Sequence, residues 1–161
     1  MSYTPRQRLE VIADLRAEVA RRLQPHRPGK PCRICDQRIH LQLRKLHSGM
    51  AYAAVRLYLH DQEQPGEFMD YRDHKARGES RNHPYLRYWR MIERDPERRG
   101  WWRIRRRGRL WVEERISVPR AMWYYNRECY GFVEERIDIR EALGDKFNLD
   151  ELLAGRLRPL K

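Results

Sequence analysis

The chain has few of the features that mark secreted, membrane-spanning or disulfide-stabilised proteins. Its 161 residues include only three cysteines, too few for the disulfide framework of a small secreted domain. No apolar run approaches the length of a membrane-spanning helix, and the first residues do not lead into the apolar core of a signal peptide. We therefore expect a cytoplasmic protein with no membrane partner.

Motifs of the common enzyme classes are also missing. The sequence has neither a glycine-rich phosphate loop nor a nucleophile beside a plausible base. One polar cluster that could in principle hold a nuclease metal comprises Asp61, Glu63, Asp70, Asp73 and His74. Its spacing matches no catalytic motif, so we interpret it as a solvated connection and predict that the protein is not an enzyme.

Lysine is scarce, whereas arginine is abundant. Only five of the 35 basic residues are lysine, and with 23 acidic residues the formal net charge is +12. A high-GC genome accounts for arginine in place of lysine, but it does not account for the excess of positive charge. Because the guanidinium fork matches phosphate oxygens and the edge of guanine, this composition favours a nucleic acid as partner.

The positive charge is concentrated in two parts of the chain. The net charge is +5 in residues 1–40 and +7 in residues 98–132, but only +1 in residues 41–97 and −1 in residues 133–161. One acid-free stretch contains Arg98, Arg99, Arg103, Arg105, Arg106, Arg107 and Arg109. Such a cluster would repel itself without a polyanion, so we predict that these arginines contact phosphate.

We expect an α+β protein with four segments: a helix (1–24), a linker with a cysteine knuckle (25–40), a winged helix-turn-helix (41–115) and C-terminal strands with a helix (116–161). Apolar residues recur at helical spacing over residues 5–24, and the prolines that follow end this helix. Its narrow apolar stripe favours a homodimer, and packing against the core is the alternative.

The knuckle is a candidate zinc site. Cys32 and Cys35 have the spacing of a chelating pair, and a structural zinc ion takes four ligands. His40 and His47 follow at distances that allow a Cys2His2 site, while His26 and Cys129 are further candidates. The spacing alone does not decide which residues complete the site.

Residues 41–115 have the element order of a winged helix. Helical spacing predicts a central helix over 43–60, and His83-Pro84 opens a short helix that reaches residue 92. Apolar segments on either side of a Pro- and Gly-containing turn predict a β-hairpin with Arg98 and Arg99 at its tip. Residues 106–114 fit either a helix or a strand.

In this arrangement the short helix would enter the major groove, and the hairpin would reach the adjacent backbone or minor groove. The predicted readout residues are Arg81, Tyr85, Arg87 and Tyr88. The alternative is that the helix and hairpin pack on their own core while the arginines are only solvated. Further along, strands are expected at 116–118, 122–125 and 130–132, and Asn148 caps a final helix.

Several short strings together resemble a family of small, mostly uncharacterised bacteriophage proteins. They are Tyr85 to Ile92, Gly100 to Ile104, Gly108, Val112, Val118-Pro119, Tyr125-Asn126 and Ile139 to Phe147. The resemblance covers roughly residues 30–153, and it implies a zinc-type knuckle joined to a winged helix, with residues 106–113 helical. The family usually has Gly and Thr at two positions where this chain has Arg90 and Arg105. The first difference indicates an extra basic contact, and the second leaves the helix cap in doubt.

These features together predict a phage-encoded protein that binds duplex DNA in the host cytosol or nucleoid and regulates transcription or another DNA transaction. Two alternatives stay open. One is a module that binds the acidic surface of a host protein. The other is an RNA-binding protein whose stacking residues are Tyr85, Tyr88, Trp101 and Trp102.

Overall fold

The computed structural model shows a mixed α+β protein, as predicted. It describes residues 41–72, 81–125 and 127–156, together with Glu10, Ala13, Asp14 and Ala17, which are helical and exposed. Outside the described residues lie the rest of the predicted N-terminal helix and the whole linker and knuckle with Cys32, Cys35 and His40. The same holds for Asp73, His74 and Asn126.

The described elements are short and alternate along the chain. In order they are β1 (Gln42–Lys45), α1 (Ser48–Glu63), β2 (Met69–Asp70), a 3-10 helix (His83–Arg87), β3 (Ile92–Arg94), β4 (Trp101–Ile104), α2 (Arg106–Val112), β5 (Val118–Pro119), β6 (Ala121–Tyr125), β7 (Glu128–Phe132), β8 (Arg136–Ile137), α3 (Ile139–Leu143), a second 3-10 helix (Gly144–Lys146) and α4 (Leu149–Leu153). No described helix is both long and apolar enough to cross a membrane.

The chain divides into two units, of which the first joins Ala121–Val133 to the residues before Lys45. In its described part, strands β1, β6 and β7 form one sheet in that order. The β6–β7 hairpin confirms the strands predicted at 122–125 and 130–132, and its turn includes Arg127 with a φ of 64°. The strand predicted at 116–118 lies instead at Val118–Pro119.

The second unit, Lys45–Arg120 with the residues from Glu134 onward, is built around α1. The five consecutive residues 51–55 are fully buried, and the Tyr52 ring stacks on Phe147 with their centroids 4.7 Å apart. Small alanine side chains let neighbouring elements approach this helix closely on more than one face. The prediction of a buried central helix is therefore confirmed.

The bounds of this central helix differ from the prediction of 43–60. Its first predicted residues belong to β1, where Leu43 is 40% exposed, and the backbone N–H of Leu46 donates to the carbonyl of Arg120. Pairing with a distant strand overrides the local helical pattern. At the other end α1 continues to Glu63, so Asp61 is a buried helical residue and not part of a solvated connection.

A second sheet has the strand order β2–β4–β3 and contains the predicted hairpin. Strand β2 was not predicted, and its Met69 and the neighbouring Tyr71 are buried, so this part of the connection packs on the protein and is not solvated. The short helix predicted over 84–92 is a single 3-10 turn of five residues. It ends early because Arg90 takes a left-handed conformation and β3 begins at Ile92.

Side-chain caps stabilise the first turns of helices α3 and α4. The Asn148 side chain accepts hydrogen bonds from the backbone N–H groups of Asp150 and Glu151, which confirms the predicted cap of α4. Asp138 and Glu141 form a reciprocal capping box at α3. The segment 106–112 is helical, so its ambiguity between helix and strand is resolved in favour of the helix.

Candidate nucleic-acid interface

Four of the seven arginines from Arg98 to Arg109 lie within ion-pair distance of a carboxylate. Three of the pairs are close: Arg98 with Asp95 at 2.6 Å, Arg103 with Glu93 at 2.5 Å and Arg109 with Asp61 at 2.8 Å. Arg105 lies 3.7 Å from the second oxygen of Glu93. The acid-free stretch is therefore partly neutralised by acids from elsewhere in the chain, which corrects the argument that it must repel itself.

The paired arginines Arg98 and Arg103 also stack on aromatic rings. Arg98 lies 4.0 Å from the centroid of the Trp101 ring, and Arg103 lies 4.5 Å from that of Phe68. Each guanidinium thus combines an ion pair with a cation–π contact, which holds its geometry within the protein. We therefore remove Arg98, Arg103 and Arg109 from the set of candidate phosphate contacts. Trp102 is buried, so it cannot stack on bases as the RNA alternative required.

A second group of arginines lies where α2 begins. The backbone N–H of Arg105 donates to the carbonyl of Met91 at 2.7 Å, and this bond brings Arg90 next to the start of the helix. Gly108 allows the close approach, since a Cβ atom there would lie 2.5 Å from the same carbonyl oxygen. All four residues of this arginine patch are exposed: Arg90, Arg105, Arg106 and Arg107.

Two residues of the patch occupy positions that local backbone energetics disfavour for arginine. Arg90 has a φ of 59°, in the left-handed region, where a side chain costs roughly 1–2 kcal/mol. Arg105 is the N-cap of α2 but makes no capping hydrogen bond through its side chain, a loss of about 1 kcal/mol relative to Ser or Thr. No acidic residue stands in the first turn of α2, where the helix dipole favours negative charge. Local stability therefore does not explain the arginines.

The predicted readout residues lie together on the 3-10 turn and at its borders. Arg81 and Arg87 are exposed, and Tyr85 and Tyr88 are half-buried. The two tyrosine rings are inclined by 29° with centroids 6.3 Å apart. The Arg87 guanidinium lies 4.8 Å from the Tyr88 centroid and donates a hydrogen bond to the Tyr88 hydroxyl. These contacts form a short ladder of planar groups at the surface.

Two candidate zinc ligands are described, and they play local structural roles. His47 is the N-cap residue of α1, and its Nε2 lies 3.4 Å from the Asn82 amide nitrogen. Burial, with a smaller contribution from Lys146, lowers the pKa of His47. Cys129 is half-buried in β7, where burial raises the pKa of its thiol. Among the described residues, no three His, Cys, Asp or Glu side chains come together as a metal site.

Sequence reasoning missed the acids that organise this surface. Asp95 accepts from two backbone N–H groups of the hairpin turn, and an Asp-Pro pair at the start of a turn is a signal that could have identified it. The ion pair of Asp61 with Arg109 joins residues 48 positions apart and has no local signal. Arg94, exposed at the end of β3, is a further basic residue near the hairpin tip.

No protein-family model matches the chain, and no curated protein or solved structure is similar to it at a significant level. The resemblance to phage proteins therefore remains a prediction.

Proposed function

We propose that this protein binds duplex DNA through the arginine patch, with the 3-10 turn and the hairpin tip as flanking contacts. One observation carries the proposal: Arg90 and Arg105 occupy positions where the backbone favours glycine and a capping residue, and a backbone hydrogen bond joins Arg105 to Met91, the residue after Arg90. Within the described residues, no carboxylate pairs with Arg90, Arg106 or Arg107. Phosphate groups of a partner would supply the missing negative charge.

The mechanism we propose is neutralisation of phosphate by arginines that are not already paired. Six exposed arginines meet this condition: Arg81, Arg87, Arg90, Arg99, Arg106 and Arg107. Arg105, whose Nε lies 3.7 Å from Glu93, adds a weaker contribution. About six phosphate contacts give a log–log salt slope near −5. The slope is proportional to the number of phosphate contacts, so it tests the assignment of these arginines to phosphate more directly than a single affinity does.

The element order supports a winged-helix mode of binding. Helix α1 is followed by strand β2, by the short turn that carries Tyr85 and Arg87, and then by the β3–β4 hairpin with Arg99 at its tip. The turn would approach a groove while the hairpin contacts the neighbouring backbone. We extend the proposal to a phage-encoded regulator of the host cytoplasm with a zinc-type knuckle at Cys32 and Cys35.

The test is a salt titration of duplex DNA binding by fluorescence anisotropy. The variant Arg106→Gln/Arg107→Gln should weaken binding and reduce the slope by about 2, one for each lost contact. Arg115→Gln/Arg156→Gln is the matched control, because it removes the same charge from exposed arginines outside the patch. A wild-type slope near zero contradicts the proposal, whereas equal losses in both variants would mean that only total charge matters.

A second candidate, binding of single-stranded RNA, is favoured by the ladder of Tyr85, Tyr88 and Arg87. Stacked aromatic rings bind unpaired bases with little sequence preference. Competition between a duplex DNA and a single-stranded RNA of equal charge distinguishes the two. Binding to neither would favour the third alternative, a module that binds an acidic protein surface.

A further inference from the structure

The hairpin tip contains a buried carboxylate that accepts several donors. Asp95 is only 5% exposed. Its Oδ1 accepts from the backbone N–H of Glu97 at 2.9 Å and from that of Arg98 at 3.0 Å, and its Oδ2 accepts from Arg98 Nε at 2.7 Å. Burial alone raises the pKa of Asp95, but these donors and the Arg98 charge outweigh it, so the pKa lies below its usual value.

Backbone hydrogen bonds also join the two ends of this turn. The N–H of Asp95 donates to the carbonyl of Trp101 at 3.0 Å, and the N–H of Trp101 donates to the carbonyl of Arg98 at 3.3 Å. Arg98 is thus fixed between the carboxylate and the Trp101 ring. Gly100, with a φ of 89°, completes the turn, and a Cβ atom there would lie 2.6 Å from the side chain of Arg72.

The neighbouring Arg99 is in a different situation. It is exposed at the tip, and within the described residues no carboxylate pairs with it. Two adjacent arginines thereby have separate roles: Arg98 is committed to internal bonds, and Arg99 is available to a ligand. Both of its backbone neighbours, Arg98 and Gly100, are held in place by contacts of the turn.

We propose that Asp95 is a positioning residue of the DNA-binding surface, which fixes the hairpin tip so that Arg99 is presented to a phosphate group. The inference rests on the proposed function. Asp95 is proposed to act by ordering the hairpin tip, and not through the effect of its own charge on the affinity for DNA. A carboxylate close to DNA repels phosphate, so removing it would tighten binding if charge alone mattered.

The experiment compares variants whose predicted effects differ in sign. Asp95→Ala removes the three hydrogen bonds that the carboxylate accepts and leaves the backbone bonds of the turn in place. It should weaken duplex binding about tenfold, as should Arg99→Gln. The double variant should bind no more weakly than either single variant, because both changes remove the same contact. Glu97→Gln is the matched control, an exposed carboxylate of the same turn whose loss should leave binding unchanged or tighter.

Asp95→Asn keeps the proposal testable if the alanine variant is unstable. The amide oxygen can still accept from the two backbone N–H groups but loses the ion pair with Arg98. We expect a smaller loss of affinity than in Asp95→Ala, and faster hydrogen exchange at the backbone amides of residues 97 and 98 in the alanine variant without DNA.

The two hypotheses fail in different ways. If the wild type binds duplex with the expected salt slope but Asp95→Ala and Asp95→Asn bind as tightly as Glu97→Gln, the positioning role is wrong and the proposed function stands. Additive losses in the double variant would equally overturn the positioning role. If the wild type does not bind duplex, the proposed function fails together with the role of Asp95 in it, and the exchange rates then report only on the turn.

Discussion

Arg90 and Arg105 place positive charge where the backbone would be more stable with other residues. A left-handed φ favours glycine at position 90, and an uncapped helix start favours threonine at position 105. A stability cost at exposed positions is typical of residues retained for binding.

We expect Arg90→Gly and Arg105→Thr each to stabilise the protein while weakening DNA binding. Relief of the left-handed conformation should raise the free energy of unfolding by about 1 kcal/mol, and the new cap should contribute about 1 kcal/mol. Urea unfolding measures the first effect, and anisotropy with duplex DNA measures the second.

Arg127→Gly is the matched control for the first of these variants. Arg127 also has a positive φ, of 64°, but it lies in the β6–β7 turn. The same substitution there should also stabilise the protein, and it should change the affinity for DNA by no more than the loss of one charge outside the patch. Unchanged affinity in Arg90→Gly and Arg105→Thr would remove these residues from the interface.

Among the secondary-structure elements, three short helices are joined by one arginine. Arg140 of α3 donates to Glu114, just beyond α2, at 2.5 Å and to Asp150 of α4 at 2.9 Å. Isolated helices of five to seven residues are not stable in water, so tertiary contacts of this kind are needed to hold them. Hydrogen bonds with Asp150 and Glu114 raise the pKa of Arg140, and the bond from Arg140 lowers the pKa of Asp150.

Replacing Arg140 with methionine should raise the pKa of Asp150 towards its ordinary value, as measured by NMR titration of its carboxyl group. Because the folded-state pKa is depressed, the stabilisation is present above the unfolded value of about 4 and is lost as the pH falls through the folded pKa. The variant should therefore lose less stability in acid than the wild type does. Arg156→Met, which removes a pair at 4.0 Å from Glu151, should leave the titration of Asp150 unchanged. If the pKa of Asp150 did not shift in Arg140→Met, the ion pair between Arg140 and Asp150 would be contradicted.

For the whole molecule, the sequence predicted features that depend on neighbouring residues better than features that depend on contacts between residues far apart in the chain. The hairpin and the Asn148 cap were predictable because turn and cap chemistry involve residues a few positions apart. Strand β1 was not, since its partner β6 lies far along the chain and the helical spacing from Leu43 continues into α1. The same was true of the candidate site. The sequence alone predicted that the site is basic, but it could not predict which arginines are neutralised, because their partners include acids far along the chain, such as Asp61.

Zinc binding at Cys32 and Cys35 is a prediction that is tested on the intact protein. We expect one zinc ion per chain by elemental analysis of the purified protein, and its loss in Cys32→Ser and Cys35→Ser. Cys129→Ser should retain the metal, because burial raises the pKa of that thiol and so disfavours the thiolate that binds zinc. Residues 51–55 of α1 are fully buried, and among the described residues no three His, Cys, Asp or Glu side chains come together, so a chelator should leave the protected amides of these residues unchanged. Zinc retained in both knuckle variants would disprove the assignment, and deprotection of α1 by the chelator would show that the metal also stabilises the second unit.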